Sequence, residues 1–158
     1  MEFFDEAPAR FVAEVDLAAT PDDVFASFED ADAWPQWALP IKHVEWTSPP
    51  PFGVGTTRTV TMVGGVGKEV FIAWDRGRRM AFRFTETSMP NTAAFAEDYQ
   101  VTDLGTGRTR VRWMMAMEPT GPSAVMLRVL GFAMRWGLQL MLNRFRAHVE
   151  GRRARAAA

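Results

Sequence analysis

Two charged residues stand in phase with apolar ones on strand-like stretches, and they are the residues best placed to do chemistry. Arg58 alternates in step with Val60 and Met62, and Glu97 in step with Phe95, Tyr99 and Val101. Glu86 follows Phe84 on a third stretch in the same way. Period-two alternation places each on the apolar face of a strand. An isolated charge in an apolar interior is prohibitively costly. Arg58 and Glu97 must therefore pair, reach the mouth of a cavity, or hold a polar group of a ligand. A strand bulge that turns them outward is the remaining alternative, and Gly53 and Gly55 allow one near Arg58. The chemistry on offer is proton transfer, with Glu97, Arg58 and Tyr99 as the candidate catalytic residues.

Other chemistries lack their residues. The two histidines, His43 and His148, are far apart and form no zinc-binding pair. Ser88 and Ser123 have no nearby base, and no nucleophile elbow is present. Gly64-Gly65-Val66-Gly67 lacks the lysine–hydroxyl ending of a phosphate loop and leads into a strand, so it reads as a turn. The chain has no cysteine, which removes disulfides and thiolate ligands. No metal site and no cofactor is expected. A net charge of −1 gives no pull toward nucleic acid. The acidic start, Met1-Glu2-Phe3-Phe4-Asp5-Glu6, is unlike a secretory signal. The most membrane-like window, 124–142, contains Arg128, Arg135 and Gln139, which argues against a transmembrane span. A cytoplasmic location is expected.

The elements that must position these residues are legible from their pattern. Phe11–Leu17 alternates as a half-buried strand, and Thr20-Pro21-Asp22-Asp23 is a helix start with its cap, N1 proline and first-turn acids. A second short helical segment covers 31–37. Strands follow at Val44–Thr47, Thr57–Met62, Glu69–Asp75, Met80–Glu86, Ala94–Val101 and Thr109–Met117. A helix from Pro122 to Glu150 closes the chain and would span about 43 Å at ~1.5 Å per residue. With 47% apolar content in 158 residues, a single domain is expected over 10–150, after an extension at 1–9 and before an Arg/Ala-rich tail at 151–158. The class is α+β: a seven-stranded curved antiparallel sheet, two short helices, and one long C-terminal helix over the sheet.

A long helix bearing Met126, Leu130, Met134, Leu138 and Met141 needs a broad apolar surface, and the curved sheet is the candidate. A sheet gripping one helix tends to leave a hollow that takes small apolar molecules. The inward sets by alternation are Val70, Ile72 and Trp74; Met80, Phe82 and Phe84; and Val111, Trp113, Met115 and Met117. The expected ligand-binding residues are thus Arg58, Val60, Met62, Ile72, Trp74, Phe82, Phe84, Glu86, Phe95, Glu97, Trp113, Met115, Met117, Met126, Leu130 and Met134. Several methionines in one stripe favour a compliant cavity. On the helix, Phe132 and Trp136 fall beside the polar stripe of Arg128, Arg135, Gln139 and Arg146. That edge reads as a homodimer contact, a membrane-touching face, or a surface covered by strand rims.

Particular residues carry a family resemblance. Asp30-Ala-Asp-Ala-Trp34-Pro-Gln-Trp37 resembles the acidic, then Trp-x-x-Trp stretch of the polyketide cyclase/dehydrase family. Gly53-Val-Gly55-Thr-Thr-Arg58 is similar to that family's glycine-then-arginine lead into its third strand. Trp74-Asp75 before a basic turn, and the run from Gly107 to Trp113, fit as well. The family lies in the START-related, birch-pollen-allergen-like superfamily, whose helix-grip fold the resemblance implies over 10–149. It implies a small hydrophobic ligand, polyketide-like or lipid-like, that is carried or sensed. An aromatase/cyclase acting on such a polyketone is the alternative, with Glu97, Tyr99 or Arg58 moving the protons. A partner-binding or regulatory protein with a vestigial cavity is the third reading.

Overall fold

The computed structural model describes residues 2–157, the side chains of residues 122–130 excepted. A short helix α1 (Glu2–Glu6) precedes strand β1 (Ala9–Leu17). Helix α2 (Pro21–Glu29), a 3-10 turn (Ala31–Ala33) and helix α3 (Trp34–Trp37) follow. Then come β2 (Ile41–Trp46), β3 (Thr57–Met62), β4 (Gly65–Asp75), β5 (Arg79–Thr87), β6 (Thr92–Gly105) and β7 (Arg108–Pro119), and finally helix α4 (Pro122–Ala156). The strands form one antiparallel sheet in the order β1-β7-β6-β5-β4-β3-β2. It curls into a half-barrel around α4, the helix-grip arrangement expected.

Local chemistry accounts for the joints. Thr20 caps α2 by accepting from the Asp23 N–H, while Asp23 Oδ2 accepts from the Thr20 N–H at 2.9 Å. Trp34 and Trp37, both fully buried, fasten α3 to the C-terminal half of α4. Trp37 meets Phe145 edge-on at 4.9 Å between centroids, and Phe28 stacks on Phe145 at 5.0 Å. Helix α4 runs past Glu150 to Ala156, beyond the expected end, because Arg152 and Arg153 tie its last turns to the body. Arg152 donates to Asp30, and Arg153 donates to the carbonyls of Ala18 and Gly107. The unexpected α1 lays Phe4, and the residues after it lay Ala7, on the convex face against Ala81, Ala96 and Ala116.

Two irregularities in the β4–β5 pairing reset which residues face inward. Register shifts fall between Lys68 and Glu69 and between Phe71 and Ala73. At the first, Glu69 opposes Phe84 while Lys68 opposes Glu86, so Thr85 is the extra residue and Glu86 is turned out. At the second, Phe71 opposes Phe82 and Ala73 opposes Ala81, leaving Ile72 as the extra residue. Ile72 therefore packs on the convex side with Ala73 and Met114. Gly65 and Gly67 belong to β4 and not to the turn expected there; a Cβ at Gly67 would lie 2.8 Å from the Phe84 ring. Phe132 and Trp136 stand on the outside of α4, 73% and 69% exposed.

Candidate functional site

Between the concave face of the sheet and α4 lies a cavity of about 390 Å³, within the range of small-molecule sites. Its walls are mostly apolar: Val60, Met62, Phe82, Phe84, Phe95, Met115 and Met117 from the strands, Trp34 from α3, Met134 and Met141 from α4. It reaches the surface beside Val63, Gly64 and Pro90, which are exposed. Five buried polar residues share this wall, Arg58, Glu69, Glu97, Tyr99 and Trp113, and half-buried Thr92 also lines it.

The sheet register brings these five together. Arg58 opposes Glu69 across β3 and β4, Glu97 opposes Phe82 and Met115, and Tyr99 opposes Met80 and Trp113. Arg58 is 1% exposed, and its Nε donates to Glu69 Oε2 at 2.5 Å. Its guanidinium carbon lies 4.0 Å from the Trp34 ring centre and 4.7 Å from that of Phe82, so aromatic faces replace water around the charge. Both terminal nitrogens, Nη1 and Nη2, are buried and have no hydrogen-bond partner among the described residues; Trp113 Nε1 is also buried and lies toward Glu97, whose charged form it favours. Tyr99 Oη donates to Glu97 Oε2 at 2.7 Å.

Burial dominates the electrostatics. It raises the Glu97 carboxyl to about 8, with the Tyr99 hydrogen bond opposing and the Glu69 charge adding to the rise. Glu69 is raised from the usual carboxylate range by burial, against the pull of Arg58. The Tyr99 hydroxyl is pushed well up by burial and by Glu97. The wall thus holds the Arg58 guanidinium, Glu69 hydrogen-bonded to it, and a second carboxyl, Glu97, that keeps its proton at neutral pH.

Most residues expected at the site lie on this wall: Arg58, Val60, Met62, Phe82, Phe84, Phe95, Glu97, Trp113, Met115, Met117, Met134 and Tyr99. Three do not. Ile72 faces the convex side, and Glu86 is exposed and paired with Lys68 at 2.8 Å. Trp74 points inward but is spent on packing with Phe25, Trp46, Phe52 and Phe71. The side chains of Met126 and Leu130 lie outside the described residues. The ion-pair partner of Arg58 is Glu69, which strict alternation with Val70, Ile72 and Trp74 sends outward; the extra residue at Ile72 undoes that phase. The signal in the sequence was Glu69 sharing its own alternation with Gly67 and Phe71.

Comparison with known proteins agrees with this geometry. A family model described as polyketide cyclase/dehydrase and lipid transport matches residues 8–150. An uncharacterized protein of Mycobacterium tuberculosis is 45% identical over 157 residues, covering 99% of this chain and 93% of that one. The crystal structure of the ZhuI aromatase/cyclase from Streptomyces sp. R1128 superposes with a TM-score of 0.72 at 18% identity, over 94% of this chain and 97% of that one. A START superfamily protein from Mycobacterium smegmatis gives a TM-score of 0.67 at 16% identity, over 90% and 95%. The family match spans most of the chain, and the sheet order and gripped helix share the fold of these structures: the chain belongs to the polyketide cyclase/dehydrase and lipid-transport family.

Proposed function

We propose that this protein binds a hydrophobic, polyketide-like or lipid-like molecule in the sheet–helix cavity and holds an oxygen of that molecule on Arg58. The supporting observation is a contrast within one wall: a largely apolar cavity that contains two buried nitrogens, Arg58 Nη1 and Nη2, with no hydrogen-bond partner among the described residues. Buried donors without partners are costly, and a ligand carbonyl or phenolic oxygen relieves that cost. Methionines on four sides let the cavity adapt to ring or chain shape. Carriage or sensing needs nothing more.

The test is calorimetric titration with 2-acetonaphthone and, as the purely apolar control, naphthalene. Changing Arg58→Leu together with Glu69→Gln removes the guanidinium without stranding its counter-ion. The ketone is expected to lose affinity by roughly 10- to 100-fold, as for a hydrogen bond to a charged donor. Naphthalene is expected to bind as before. Equal ketone affinity in wild type and variant would contradict the reading.

A second reading, an aromatase/cyclase, is favoured by one observation. A carboxyl titrating at about 8 in contact with Tyr99 inside the cavity is tuned for proton transfer near neutrality. Ring closure of a polyketone takes a proton from a carbon beside a carbonyl and delivers one to the acceptor oxygen. Glu97 would exchange the proton and Arg58 would stabilise the oxygen. Turnover of a poly-β-ketone thioester that disappears in Glu97→Gln supports this reading. Binding unchanged by Glu97→Gln, without turnover in either protein, leaves carriage.

A further inference from the structure

Glu69 occupies an unusual place: it neutralises Arg58 from inside the fold without using the guanidinium's outer donors. The Arg58 Nε–Glu69 Oε2 contact is 2.5 Å, and the two side chains are 0% and 3% exposed. Nη1 and Nη2 remain unpartnered. Glu97 lies on the same wall, 6% exposed, with its Oε2 already accepting from Tyr99. The remaining walls bring no further charge: the side chains contributed by α3, β2, β5 and β7, and by α4 among its described residues, are uncharged. Among the described residues the site thus has one guanidinium and two carboxyl groups.

We propose that Glu69 makes this cavity selective for uncharged head groups bearing a carbonyl or phenolic oxygen and closes it to carboxylates. The inference rests on the ligand-binding reading above. A neutral oxygen can accept from Nη1 or Nη2 and leaves the charge balance of the Arg58–Glu69 pair unchanged. A ligand carboxylate must shed its water beside Glu69, facing a cation whose charge is already matched. Burial without compensation penalises it. Had Arg58 stood alone, its open fork would instead favour a carboxylate.

Two ligands with the same rings decide the matter, 2-acetonaphthone and 2-naphthoate, titrated at pH 7 beside naphthalene. Wild type is expected to bind the ketone roughly 100-fold or more tightly than the carboxylate. Glu69→Gln keeps an acceptor for Arg58 Nε but removes the counter-charge, so naphthoate affinity is expected to rise and the ratio to collapse or invert. The wild-type ratio stands without the variant, should Glu69→Gln fold poorly. Naphthoate binding to wild type as tightly as the ketone would overturn the inference while leaving the cavity reading intact. A wild-type preference that Glu69→Gln leaves unchanged in the folded protein would overturn the role of Glu69. If none of the three compounds binds, the ligand-binding reading falls and this inference with it.

Discussion

Removing the Arg58 side chain alone would leave Glu69 as a buried charge without a partner. Arg58→Leu is therefore expected to cost about 3–5 kcal/mol in a denaturant melt, with much of the loss recovered when Glu69→Gln is added. A loss below about 1 kcal/mol would mean that water reaches the pair. Glu97 adds a pH dependence of known sign. Its carboxyl is raised from 4.5 to about 8, so between those values the native state holds a proton that the unfolded chain has released. Stability from this group is complete below pH 4.5 and is lost as the pH rises through about 8. Glu69, also raised, works in the same direction. The stability of Glu97→Gln relative to wild type is expected to grow by on the order of a few kcal/mol across that window. Melts at pH 5 and pH 8.5 check this, and an equal difference at both would show Glu97 ionised throughout.

At the scale of elements, alternation identified faces wherever the strands keep strict register. Arg58, Glu97, Phe95, Trp113 and Met115 all lie inward, because β3, β6 and β7 run unbroken through these positions. It failed on β4 and the end of β5, where single extra residues at Ile72 and Thr85 turn the following side chains over. No local composition marks those two sites as bulges, and the error hid the partner of Arg58. Capping and turn chemistry at Thr20 and Pro21, and the Trp34/Trp37 pair, were legible because their signals are local. Trp37 carries the expectation for its element. It is fully buried between Trp34, Trp113 and Phe145, so Trp37→Ala is expected to cost about 3–5 kcal/mol by chemical denaturation. A loss below about 1 kcal/mol would detach α3 from the support of α4.

Across the whole molecule, sheet curvature and the gripping of α4 produce the cavity, and the sequence announced both by its order of elements. The outer surface of α4 stands apart from that arrangement. Phe132 and Trp136 contribute little to the folded core, so changing both to serine is expected to shift stability by no more than about 0.5 kcal/mol per site. Among the described residues no helix is long and apolar enough to cross a membrane. If the cavity binds its ligand as proposed, the methionines that line it report on occupancy directly. Met62, Met89, Met115, Met117, Met134 and Met141 line the cavity, whereas Met114 packs on the convex face. The most direct test is a titration of ¹³C-methyl-methionine-labelled protein with 2-acetonaphthone, followed by NMR. Saturable shifts of the cavity methyls with Met114 unmoved are expected; cavity methyls that stay silent, or shifts led by Met114, would contradict ligand binding between sheet and helix.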